Sequence, residues 1–232
     1  MAAEKKQSGR VGLCTLGGTT LLQSELELLD DGAWLNDNII SFYFEYLVRD
    51  VVAGGDGDGD GDGDGLPVVF LPPATVFLMT AVPDPSMLAP SFEPLGLGKA
   101  KQIVIAVNDK TSLTDHIGGS HWSLLVYSAE DRTYRHYDSA GGCNAAAAAD
   151  IAAVVDFFVT YNADPPVSNE ASFVADRNTP QQRNGYDCGV YLLHFAHCIA
   201  AGEPVTARPD RLVAMRLHVR SVIDAIAAEQ RE

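Results

Sequence analysis

The sequence predicts an α+β fold, and three observations carry that expectation. Helix-like and strand-like segments follow one another as helix, strands, helix, strand, helix, helix, which is not the regular alternation of a parallel α/β protein. Two strand-like runs, 121–129 and 133–139, are separated only by Glu130, Asp131 and Arg132, the mark of an antiparallel hairpin. The stretch from about Cys188 to Ala200 is nearly all apolar, so its helix has to be central and buried. With 232 residues, 47% apolar and 20% charged, the chain has the length and composition to bury a core.

In chain order, residues 1–11 are polar and are expected to be loose. A helix starts at Trp34-Leu35-Asn36-Asp37, with Asn36 or Asp37 as its N-cap and Ile39, Ile40, Tyr43, Phe44 and Leu47 on its buried face. Between 54 and 65 glycine and aspartate alternate. Such a tract buries nothing and repels itself, so it reads as a disordered insert. It does not read as a calcium loop, because the twelfth position counted from Asp56 or Asp58 is Pro67 or Val69 instead of the chelating glutamate. Val68–Leu71 is a short apolar segment stopped by Pro72 and Pro73. Ile103–Val107 is the next strand, followed by a loop over 108–120 and then the hairpin. Residues 144–162 have a helical apolar face of Ile151, Val154, Val155 and Phe158. A short strand at 172–175, the apolar helix and a last helix from Asp210 complete the chain; Leu212, Met215, Val219, Val222 and Ile226 share one side of that last helix.

The formal net charge is −15, and without the five aspartates of the Gly-Asp tract it is still −10 (−15 + 5). An acidic surface repels nucleic acid and anionic lipid and suits a partner with a basic face. The four cysteines form no Cys-x-x-Cys pair and no disulfide framework, which suits a reduced intracellular chain. The N-terminus lacks the apolar core of a signal peptide, and no apolar run is long enough to span a membrane. A soluble protein of cytoplasm or nucleus is the expectation.

Chemistry concentrates at Cys188. It ends a polar, glycine-containing loop and opens the apolar helix, and a helix N-terminus favours the thiolate form of a thiol placed there. Gly189 beside it permits close approach of another backbone. Local context alone fits equally an activated nucleophile and a buried cysteine at the head of a core helix. Of six histidines, His121 is the best placed as a base, at the start of a strand after Gly118-Gly119-Ser120. A hairpin turn centred between Ala129 and Glu130 pairs 121 with 138; a turn one residue later pairs 123 with 138. Either register brings His121 and Asp138 to one end of the ribbon, where the carboxylate can orient the imidazole. Gln182, six residues before Cys188, could donate to an oxyanion together with the Cys188 N–H. On position alone, Trp34 and Trp122 fit core packing better than contact with a partner. His194 and Cys198 share a helix face, but two donors on a buried helix do not make a closed zinc site.

Taken together, WLNDNIISFYFEYL, HWSLLVY with the HYDS that follows, and TPQQRNGYDCGVY resemble the Ulp/sentrin-specific family of ubiquitin-like-protein peptidases, in the order His, Asp, Gln, Cys and over roughly residues 12 to 200. SFEPLGLGKAKQIVIAVND and the Gly-Gly-Ser before His121 are most similar to the deneddylase branch. The resemblance implies a papain-like cysteine peptidase fold of the Ulp type, with a central mixed or antiparallel sheet flanked by helices, in a single peptidase domain over 12–232. It implies a triad of His121, Asp138 and Cys188 with Gln182 in the oxyanion hole. Trp34 and Trp122 would line a narrow channel for a diglycine tail, and Asp37 would contact the modifier. The activity implied is cleavage after the C-terminal diglycine of a Nedd/Rub-type modifier, both in precursors and in conjugates such as those of cullins. No metal or cofactor is implied, and a monomer is expected. A SUMO-specific peptidase of the same fold, a catalytically inactive modifier-binding module and an acyltransferase using the same Cys-His pair are the alternatives. The Gly-Asp insert is absent from the family pattern, and Cys143 and Cys198 have no role in it.

Overall fold

The computed structural model describes residues 11–53, 68–109, 119–161, 170–205 and 209–231. The expectations for the N-terminal decapeptide, the Gly-Asp tract and Gly118 fall outside these residues. Among the described residues the order is β1 Gly12–Leu16, β2 Thr19–Leu22, α1 Asp37–Tyr46, β3 Val68–Leu71, α2 Pro73–Ala81, β4 Gln102–Asn108, β5 Trp122–Ser128, β6 Thr133–Tyr137, α3 Ala145–Thr160, β7 Ser172–Ala175, α4 Cys188–Ala200 and α5 Pro209–Glu229. Shorter helical turns flank α1 on both sides and fill the segment between α2 and β4. The chain forms two compact units: one joins Met1–Gly55 to Gln182–Glu232, the other is Asp56–Gln181.

The middle unit is a five-stranded sheet in the order β3-β4-β5-β6-β7. Its outer pairs, β3 with β4 and β6 with β7, are parallel, and its inner pairs are antiparallel, so the sheet is mixed. The hairpin register pairs Leu124 with Tyr137 and Tyr127 with Tyr134. Continued by one residue, it sets Ser123 opposite Asp138, the second of the two registers open to the sequence. Ile103, Ile105 and Val107 of β4 pack with Leu125, Tyr127 and Tyr134 against α2 and α3. The α3 face is the expected one: Ile151, Val155 and Phe158 are buried, and Val154 packs beside them. Burying these side chains contributes roughly 1.5–3 kcal/mol each. The Pro72-Pro73 pair stops β3 but also starts α2, with Pro73 in its first turn. Proline has no N–H to lose at that position and its φ is already helical, so a strand stop serves as a helix start.

In the other unit β1 and β2 form an antiparallel hairpin that the sequence pattern did not disclose. Asn36 caps α1, its Oδ1 accepting from the Ile39 N–H at 3.0 Å. Its amide Nδ2 and that of Asn38 donate to Glu25 Oε1 at 2.6 and 2.9 Å, and Glu25 Oε2 accepts from the Leu22 N–H. The buried Glu25 thus fixes the start of α1 to the end of β2. Ile39, Ile40, Phe42, Tyr43, Phe44 and Leu47 are buried, as are Leu192, Leu193 and Phe195 of α4 and Met215, Val219, Ile223 and Ile226 of α5.

Candidate active site

The open end of the β5–β6 hairpin carries the first group of side chains. His121 precedes β5 and Asp138 follows β6, and His121 Nε2 lies 2.7 Å from Asp138 Oδ1. Both are buried. The turn after β6 wraps around the carboxylate. Oδ1 also accepts from the Ala140 N–H at 2.8 Å, and Oδ2 accepts from the Asn144 N–H at 2.9 Å. Gly141 and Gly142 make this possible, with φ of +69° and +87° that other residues adopt only under strain. Burial pushes the Asp138 carboxyl up, but the bonds from His121, Asn144 and Ala140 outweigh it and hold its pKa below the ordinary carboxylate value.

The backbone around His121 is held as closely as its ring. Its N–H donates to Asp109 Oδ1 at 3.1 Å, and its carbonyl accepts from Asn144 Nδ2 at 3.1 Å and Asn108 Nδ2 at 3.3 Å. Asp109 also accepts from the Ser120 N–H and hydroxyl. Burial raises its pKa, and the Ser120 and His121 bonds bring it below the ordinary value. Asn144 therefore touches both members of the pair, His121 through its side chain and Asp138 through its backbone. Gln181 locks the wrapping turn: its Nε2 donates to the carbonyls of Asp138 and Thr179 at 2.9 Å, and its Oε1 accepts from the Gly141 N–H at 2.8 Å. Sequence reading singled out none of Asp109, Asn144 and Gln181. The Gly141-Gly142 pair is a sequence signal from which a turn folding back on Asp138 could have been read.

The second group belongs to the other unit. Cys188 is the first residue of α4 and is 2% exposed. Gly189 follows it, and a Cβ there would come within 2.9 Å of Leu35 Cβ. The close neighbour that requires glycine is thus the Leu35 side chain, where the sequence suggested a backbone. Asn184 shapes the approach to the helix: its Oδ1 accepts from the Tyr186 and Asp187 N–H groups, and its Nδ2 donates to Asp187 Oδ2 at 2.7 Å. Gln182 is half-buried, with Nε2 donating to the Asn184 carbonyl at 2.7 Å. That bond fixes its amide to the loop ahead of the cysteine. Trp34 is 47% exposed, unusual for an indole and suited to contact with a partner. Asp37, in the first turn of α1, is exposed as well. Trp122 opens β5 in the middle unit and is half-buried. In α4, Cys198 Sγ lies 3.8 Å from His194 Nε2, and His197 Nδ1 lies 2.8 Å from the Tyr43 hydroxyl.

The description "Ulp1 protease family, C-terminal catalytic domain" matches residues 100–230, a span that includes His121, Asp138, Gln182 and Cys188. The chain belongs to the Ulp1 protease family. It is 34% identical over 179 residues to the NEDD8-specific protease 1 of Arabidopsis thaliana, covering 77% of this chain and 71% of that protein. It is 34% identical over 173 residues to the human sentrin-specific protease 8, covering 75% and 74%. Among solved structures it is similar to the C-terminal Ulp1 protease domain in complex with Smt3, the yeast orthologue of SUMO. The TM-score there is 0.69 at 20% identity, over 97% of this chain and 94% of that one. This likeness establishes the papain-like α+β arrangement that the motifs imply.

One buried and two half-buried histidines, together with the two carboxylates, set the response of stability to pH. Burial lowers the pKa of His136, His197 and His218. Unfolded histidine titrates near 6.5, so below about pH 6.5 the unfolded chain takes up protons first and stability falls. Asp109 and Asp138 have depressed folded pKa values, so their stabilisation is complete above about pH 4 and is lost as pH falls through the folded values. The urea midpoint is therefore expected to decline in two stages, below about pH 6.5 and again below about pH 4. A midpoint unchanged from neutral pH to about pH 5 would contradict the burial of these histidines.

Proposed function

We propose that this peptidase cleaves after the C-terminal diglycine of a Nedd/Rub-type modifier, maturing its precursor and releasing it from target lysines. The observation that carries the reading is the buried His121–Asp138 pair at 2.7 Å, in a chain whose other conspicuous group is a cysteine opening a buried helix. Asp138 engages Nε2 of the imidazole, so chemistry with a thiol runs through Nδ1. The choice of modifier follows the two relatives at 34% identity, a NEDD8-specific protease and a sentrin-specific protease 8.

In this mechanism the Cys188 thiolate attacks the carbonyl carbon of the modifier's last glycine, forming an S–C bond. The Cys188 N–H and the Gln182 amide donate to the oxyanion. The C–N bond breaks as His121 passes its proton to the departing amine, and Asp138 keeps the imidazole oriented and stabilises its charged form. Water then adds to the thioester, His121 takes its proton, and the thiolate leaves. Trp34 and Trp122 are the proposed contacts of the tail, and glycine suits it because a β-carbon would hinder close approach to an indole. The exposed Asp37 carboxylate offers a contact to a basic group of the modifier. Conjugates of cullins are the proposed substrates in cytoplasm or nucleus, and the enzyme acts as a monomer.

A panel of diglycine-ended modifiers carrying a C-terminal aminomethylcoumarin tests the assignment. The Nedd-type reporter is expected to be cleaved with kcat/KM at least about a hundredfold above the SUMO-type reporter. Preference for the SUMO-type reporter would transfer the chain to the other branch. Modifier binding without release of fluorophore would leave it a binding module.

A further inference from the structure

Arg216 of α5 uses all five of its N–H groups. Nε and Nη2 donate to Asp187 Oδ1 at 3.3 and 2.7 Å. Nη2 donates also to the Ala33 carbonyl at 2.8 Å, and Nη1 to the carbonyls of Leu28 and Asp30 at 3.0 Å each. The side chain is 11% exposed. This guanidinium clasps two segments far apart in sequence. One is the strap 28–33, which runs directly into Trp34 and Leu35. The other is Asp187, the residue before Cys188. A second contact works on the same two segments, since Leu35 packs against Gly189 too closely for any side chain there. The other oxygen of Asp187 is taken by Asn184, so the carboxylate is held from both sides.

We infer that Arg216 is a positioning residue for cleavage, one that fixes the Cys188 thiol relative to the Trp34 indole. The inference rests on Cys188 being the nucleophile and deepens that reading by extending the machinery to the C-terminal helix. A planar five-donor fork suits the task. Lysine, with three donors on one nitrogen, cannot reproduce contacts to three carbonyls and a carboxylate at once. A small displacement of a nucleophile from its line of attack costs far more in rate than in folding free energy.

Arg220, one turn further along α5, supplies an internal comparison. It donates to the Leu26 carbonyl and to Asp30 Oδ1, and so holds the same strap without reaching Asp187. Arg216→Lys, Arg220→Lys and Asp187→Asn are compared with the unaltered chain well below their melting temperatures. Two readouts are used: iodoacetamide alkylation of Cys188 followed by peptide mass spectrometry, which needs no modifier, and kcat and KM on the diglycine reporter. Arg216→Lys is expected to slow Cys188 alkylation about fivefold and to lower kcat about tenfold or more, with KM changed less than about threefold. Asp187→Asn moves the same way, and the double variant is no worse than the more impaired single one, because both changes open one clasp. Arg220→Lys stays within about twofold on both readouts. Folded Arg216→Lys with both rates within about twofold of the unaltered chain would overturn the inference, whatever its melting temperature. Should Arg216→Lys fail to fold, Asp187→Asn decides, since it leaves the three carbonyl bonds in place. An unaltered chain that cleaves no diglycine reporter refutes the proposed function, while the alkylation rates still decide on the clasp.

Discussion

Replacing Cys188 by alanine is expected to remove turnover of the diglycine reporter by at least about four orders of magnitude while leaving modifier affinity within about threefold. The asymmetry has a structural basis. Cys188 is 2% exposed at the first position of α4, so its sulfur offers a docking modifier almost no area. Trp34 and Asp37, the exposed residues proposed to contact the modifier on this unit, stay intact. Losing one buried sulfur costs about 1 kcal/mol and does not unfold the chain. Fluorescence release measures turnover, and calorimetric titration with the mature modifier measures binding. Turnover in the alanine variant above about one-hundredth of the original would remove Cys188 from the mechanism. Loss of turnover together with loss of binding would show that the substitution had disturbed α4.

The parts of the fold that the sequence disclosed are those with strong periodicity. The apolar run 188–200 is α4 residue for residue, and the three-residue break after Ala129 sits in the β5–β6 turn. The β1–β2 hairpin escaped because two short, partly exposed strands leave too few alternating positions to register. The helix after Pro73 escaped because proline signals a stop and a start equally well. At the candidate site, residue types were legible and their support was not. His121, Asp138 and Cys188 stand out by their joint placement and by the order of the motifs that hold them, since local context leaves each of them a structural role as well. Asn144, Gln181, Asp109 and Arg216 act by long-range hydrogen bonds, and no local pattern announces a partner 40 or 188 residues away. The sequence also allowed two registers for the hairpin. The structure takes the one that sets Ser123 opposite Asp138, so that His121 reaches the carboxylate from beyond the strand end.

Asp138→Asn is expected to lower kcat by about two to four orders of magnitude, with KM little changed. The carboxylate has two tasks, and the substitution fails at both. It faces Nε2 of His121 at 2.7 Å, so it sets the tautomer and steadies the ring when charged. An amide there either presents its oxygen and gives up the charge, or presents its NH2 and forces the wrong tautomer. The carboxylate also accepts the N–H groups of Ala140 and Asn144, on opposite oxygens. An amide has only one acceptor oxygen, so one buried N–H is orphaned at a cost of about 1–3 kcal/mol. Stability and rate therefore fall together, and their pH dependences separate the causes. The acid-side loss of stability due to Asp138 disappears in the variant, because asparagine does not titrate, while the stage below about pH 6.5 due to the buried histidines remains. Asn144→Ala supplies the contrast: it keeps the Asp138 charge and the backbone N–H that binds it, and it loses only the side-chain bonds to the His121 carbonyl and Ser123. Its loss in kcat is expected to be smaller, about tenfold. Equal losses in the two variants would mean that the site depends on the shape of the turn and not on the charge of Asp138.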